Sequence, residues 1–194
     1  MEQHSNYKLG ADMKTRLTNM EKNKIEEMAQ NLLKDFWSTH NATYAYVDIV
    51  SLARSVGFQV GESNKLPATD NGFIAISKNK KELLIGVNYY RTWEEKRFII
   101  AHELAHYFLH YRDSELTGPL FVRHSVQKKG KNQVENDADY FAACILMPRD
   151  EFQHEYNKML HNGHTYESIV KKLQEIFKTP QESVERRIKE ISYE

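Results

Sequence analysis

The sequence has one cysteine, no net charge and no long apolar run. A lone Cys144 rules out an intramolecular disulfide and fits a reducing compartment, so a cytoplasmic protein is expected. The 27 basic side chains balance 27 acidic ones, which argues against nucleic acid as a direct partner and against gripping an anionic membrane. No stretch approaches the ~20 apolar residues that a bilayer span requires. The first residues also lack the apolar segment of a secretory signal. What is there is 194 residues, 40% apolar and 11% aromatic, enough for one domain with a real core.

Residues 1 to about 20 are polar and aperiodic, so a flexible tail or frayed helix is expected. From Glu21 to Trp37 apolar residues recur at helical spacing, and a short helix is expected from Val47 to Ser55, stopped by Gly57. Phe58–Val60, Gly72–Ile76 and Leu83–Val87 read as strands of a small antiparallel sheet. Trp93 to about Tyr111 and Val134 to Met147 read as helices, separated by a polar, basic loop over 112–132. Three more helices are expected near 149–160, 166–177 and 180–191, the last with Thr179 as N-cap and Glu182 completing a capping box. The fold class is α+β, mostly helical.

The chemistry concentrates in His102-Glu103-Leu104-Ala105-His106. Two imidazoles four positions apart sit one helical turn apart on one face and can close on a single ion. The Glu between them is placed to handle a water without becoming a ligand. A chain this rich in His would hold such a string by chance about 4% of the time. Context reduces that chance, because His102, Glu103, His106 and His110 fall within an arc of roughly 100° on a helix otherwise apolar. Such a polar wedge on a buried helix needs partners. His110 is excluded as third ligand: eight residues span about 12 Å of helix, far more than one zinc ion bridges.

The better third ligand lies on the next helix, where Glu135 and Asp139 share a face and Asp137 points nearly the opposite way. Glu135 can reach the metal while Asp139 accepts a hydrogen bond from the free ring nitrogen of His102 or His106. Ala138, Ala142 and Ala143 let the two helices approach closely.

Arg97 to His110, followed by Glu135-x-Asp137-Ala138-Asp139-x-Phe141-Ala142-Ala143-Cys144-Ile145-Leu146-Met147-Pro148, resembles the ImmA/IrrE family of metallo-endopeptidases. The upstream segment with Val47, Asp48, Ile49, Leu52, Ala53 and Gly57 is similar as well. The resemblance implies a minimal zincin-like core over residues 21–150, its small antiparallel sheet packed on the central helix that bears the two histidines. Residues 151–194 would be a C-terminal helical extension. The resemblance also implies one Zn²⁺ ion on His102, His106 and Glu135, with Glu103 catalytic; Mn²⁺ suits the same donors. Asp137 departs from the Glu frequent at that position. Family members commonly cleave a transcriptional repressor of a phage or mobile element, so a repressor is the expected protein substrate.

Three protein ligands leave one position for water, whose proton Glu103 would take before passing it to the departing amine. His124 and Tyr111 are candidate donors to the oxyanion. Leu83–Asn88 is the expected edge strand for an extended peptide, with the 112–132 loop as the opposite lip. Its Arg123, Lys128, Lys129 and Lys131 read as a solvated face.

Two rival readings remain. Tyr166 to Ile191 has the rhythm of a helix-turn-helix, which would make a DNA-binding regulator. Residues 165–194 nevertheless hold six Lys/Arg against six Glu, without the basic bias a recognition helix carries. The other rival is a catalytically silent metal-binding interaction module.

Overall fold

The computed structural model describes residues 19–39, 46–125 and 133–192. The tail expected over 1–20 thus lies almost wholly outside the described residues, as do Lys128, Lys129 and Lys131. In chain order the elements are α1 (Asn19–Thr39), α2 (Ile49–Ser55), β1 (Phe58–Ser63), β2 (Asp70–Ile76), β3 (Leu83–Asn88) and α3 (Trp93–His106). A π-helical turn, Tyr107–Tyr111, extends α3, and then come β4 (Leu120–Ser125), α4 (Gln133–Leu146), α5 (Arg149–His161), α6 (Tyr166–Phe177) and α7 (Gln181–Ser192). No helix among the described residues is long and apolar enough to cross a membrane.

Local chemistry sets the boundaries. Asp48 caps α2 by accepting from the Ser51 amide at 3.1 Å, and Gly57 supplies the positive φ of 95° that turns the chain into β1. At α3, Thr92 accepts from the Glu95 amide at 3.2 Å while Glu95 accepts from the Thr92 amide at 2.7 Å, a reciprocal capping box. The capping box expected at Thr179 does not form in that way. Thr179 is fully buried and its hydroxyl turns inward to Met147 Sδ at 3.5 Å, while the Pro180 carbonyl accepts the first amide bonds of α7.

The sheet is mixed rather than antiparallel. Its order is β1-β3-β2-β4, with β1 parallel to β3 and the other two pairs antiparallel. The chain goes from β1 to β2 and returns to insert β3 between them. Leu83, Ile85, Gly86, Val87 and Asn88 are all buried, as the near-continuous apolar run of an interior strand demands. Leu83–Asn88 is therefore not an edge. Among the described residues the edges are β1 and β4, and β4 lies inside the segment expected to be a loop.

The inner sheet face packs on α3, with α1, α2 and α4 completing the main core. Close approach of β2 to α3 depends on Gly72, where a Cβ would stand 2.7 Å from both the Gly86 carbonyl oxygen and Ile99 Cγ2. A second cluster joins α5, α6 and α7 to Ala143 and Met147 at the end of α4. Arg187 pins α7 to the rest. Fully buried, it donates to Glu26 Oε1 at 2.7 Å and to the Met147 carbonyl at 3.2 Å. Arg149 and the Tyr140 hydroxyl donate to the other Glu26 oxygen at 2.6 and 3.0 Å.

Candidate metal centre

Three elements bring the polar wedge of α3 its partners. Helix α3 carries His102, Glu103 and His106; α4 crosses it and presents Glu135 and Asp139; β4 adds His124 from the sheet edge. The crossing is close because Ala101 and Ala105 on α3 and Ala138 and Ala142 on α4 are fully buried. Glu103 is itself fully buried and His106 nearly so, whereas His102 and Glu135 keep a narrow opening.

The donor atoms converge. His102 Nε2 and His106 Nε2 are 3.0 Å apart, and Glu135 Oε2 lies 3.4 Å from the first and 3.9 Å from the second. Ligands about 2.05 Å from a tetrahedral zinc ion stand about 3.3 Å from one another. These spacings straddle that value, and two imidazoles with one carboxylate are a donor set that zinc accepts. The residues present therefore fit a metal ion. His124 Nε2 reaches the same neighbourhood, 3.8 Å from Glu135 Oε1.

Around the donors lies an outer set of contacts. Of the two rings, it is His102 whose Nδ1 meets Asp139, at 3.0 Å, and Arg186 of α7 donates to the other oxygen of Asp139 at 3.2 Å. Sequence reasoning missed Arg186, because no local pattern tells a helix three elements away that it will meet α4. His124 Nδ1 sits 2.8 and 2.9 Å from the two oxygens of Glu103. Tyr111, in the π-helical turn, places its ring 6.4 Å from that of His106. His110 stays outside the donor group, its ring 5.6 Å from His106.

The electrostatics match a site ready for a cation. Burial works to lower the His102 value, but the bonds to Asp139 and Glu135 and the charge of Glu103 outweigh it and push it up to about 9. Burial pulls His106 down to about 2, helped by the neighbouring His102 and His124. The hydrogen bond from His102 holds Glu135 down at about 2 against its burial. His102 therefore stands between acceptors on both sides, its Nδ1 facing Asp139 and its Nε2 facing Glu135 and His106. Burial, together with the charges of Glu103 and Glu135, raises the Tyr111 phenol above its ordinary value.

Comparison with known proteins gives two findings. The family described as Peptidase M78, IrrE N-terminal-like domain, matches residues 58–189. A solved structure titled as a Mycobacterium tuberculosis transcriptional regulator superposes with a TM-score of 0.52 at 16% identity, covering 88% of this chain and 47% of that one. This chain thus spans about half the length of that regulator, and at such identity the likeness concerns the fold alone. No curated protein matches the chain.

Proposed function

The chain belongs to the Peptidase M78 (IrrE N-terminal-like) family, and from that premise we propose that it is a zinc-dependent endopeptidase cleaving one specific cytoplasmic protein. The observation that carries this reading is the convergence of His102, His106 and Glu135 beside a fully buried Glu103. Those three side chains would hold the ion, which when bound polarises a peptide carbonyl and acidifies a water. Asp139 fixes the tautomer of His102, so its Nε2 faces inward. Glu103 takes the proton of the attacking water and returns it to the leaving amine. The Tyr111 hydroxyl is the candidate donor to the oxyanion. An extended peptide adds to the edge of β4 that no described strand pairs, and β4 runs past the centre through His124. The substrate we infer is a transcriptional repressor of a mobile element, following the family resemblance.

The α6–α7 pair is what a DNA-binding regulator would use, and the disposition of its arginines favours the peptidase. Arg187 is fully buried on Glu26, and Arg186 is engaged with Asp139 and Glu190. Of the three basic side chains of α7, one is therefore buried and a second, though 43% exposed, is already paired with carboxylates of this chain rather than free for a phosphate backbone. The test is metal stoichiometry with cleavage of a co-encoded repressor, comparing wild type with Glu103→Gln. One ion per chain in both proteins, with kcat falling about 10²- to 10⁴-fold in the variant, is expected. Full metal occupancy without cleavage of any candidate repressor would leave a silent metal-binding module. Duplex binding that survives both the variant and chelation would favour the regulator.

A further inference from the structure

Glu103 has no room to choose its own orientation, yet neither α3 nor α4 supplies the hydrogen bond that fixes it. The only side chain seen donating to it among the described residues comes from the sheet edge: His124 Nδ1, at 2.8 and 2.9 Å from its two oxygens. Both partners are buried, His124 at 5% exposure and Glu103 at 0%, so no solvent competes for this bond. The His124 ring also lies face to face with that of His106, centres 4.1 Å apart and planes within 3° of parallel.

That stacking decides what His124 can be. An imidazole takes a metal in its own ring plane, about 2 Å from the nitrogen. With the two rings parallel and stacked, no single point near them lies in the planes of both His106 and His124. This third imidazole is therefore not a fourth ligand, although its Nε2 is near the other donors. A donor fixed on both carboxylate oxygens also fixes the direction in which Glu103 points, which a proton acceptor needs.

We propose that His124 is a positioning residue: through Nδ1–H it clamps the Glu103 carboxylate, and because it sits on β4 it ties that carboxylate to the strand along which the peptide lies. Seating a peptide on the β4 edge then also sets the register between the scissile bond and the base. The proposal rests on the peptidase reading for its role in turnover, but the clamp itself is observable without turnover.

The test uses side chains that copy one ring nitrogen at a time in the full-length protein. Asn places an amide donor where Nδ1 stands, and Gln places one where Nε2 stands. His124→Asn should keep kcat within about tenfold of wild type, whereas His124→Gln and His124→Ala should lose roughly 10- to 100-fold in kcat with KM little changed. Zinc affinity should stay within about threefold in all three, and ¹¹³Cd-loaded protein should show cadmium coupling to two imidazoles, not three. Greater activity in Gln than in Asn would overturn the clamp, as would a third coupled imidazole or a tenfold loss of zinc affinity in His124→Gln. A wild type that binds zinc but cleaves nothing counts against the peptidase reading. In that case the protonation of His124 Nδ1, read by ¹⁵N NMR and shifted in Glu103→Gln, still decides the clamp.

Discussion

Raising the pH from 6 to 8 should tighten metal binding at this centre about 90-fold. In the metal-free protein His106 lies at about 2 and is neutral, Glu135 lies at about 2 and is ionised, and His102 lies at about 9 and holds a proton. Only that proton has to leave when an ion binds. For one displaced proton the apparent Kd scales as one plus ten to the power of pKa minus pH. A value of 9 gives about a 90-fold change between pH 6 and 8, where an ordinary histidine at 6.5 gives about 4-fold. At pH 7 the proton weakens binding about 100-fold, or ~2.7 kcal/mol. Asp139→Asn removes the anion that His102 Nδ1 faces at 3.0 Å. Its pH response should fall toward 4-fold, while its limiting affinity above pH 9 drops about 10- to 100-fold. Competition against a chromogenic chelator reads the affinities, and calorimetry in two buffers of different ionisation enthalpy counts the proton. A wild-type change under about 5-fold, or no proton released, would refute the reasoning. A 90-fold response retained in Asp139→Asn would refute the carboxylate as its cause.

Two further predictions concern what holds the site in place. Arg187→Met should destabilise the protein by about 3 kcal/mol at pH 7, because Glu26 keeps Arg149 but loses a buried partner. Burial works to raise Glu26, yet the bonds and charges of Arg149 and Arg187 bring it from 4.5 down to about 2. A lowered folded-state value gives stabilisation that is complete above pH 4.5 and lost as the pH falls toward 2. Urea denaturation should therefore find the difference between wild type and variant shrinking from pH 7 to pH 3, and a constant difference would contradict the ion-pair account. Gly72→Ala places a Cβ 2.7 Å from the Gly86 carbonyl and from Ile99 Cγ2. Strand β2 must then move off α3, costing about 1–3 kcal/mol in melting experiments and lowering kcat through displaced Glu103. An unchanged melting temperature would show that the strand has room to shift.

Legibility followed the range of the interactions. The helix of His102 and His106 is written in adjacent residues, since spacing alone puts i and i+4 on one face. The face shared by Glu135 and Asp139 is equally local, and the small residues around Ala138 and Ala142 signal a close crossing. Strand β4 was hidden because six residues, two of them charged or titratable, sit in a basic polar stretch. Their strand character comes from pairing with β2, not from their own pattern. The place of β3 is illegible for a related reason: sequence order suggests neighbours, whereas the parallel pairing with β1 places β3 inside the sheet.

The sequence by itself determined the fold class, the two helices of the centre and the chemical identity of its donors, because helical periodicity and residue chemistry act over a few residues. Only the tertiary structure decided that His124 meets Glu103, that Asp139 chooses His102 over His106, that Arg186 reaches Asp139 and that Arg187 is buried on Glu26. Those contacts join residues from 21 to 161 positions apart, and what selects them is which buried polar group must find a partner once the core has closed.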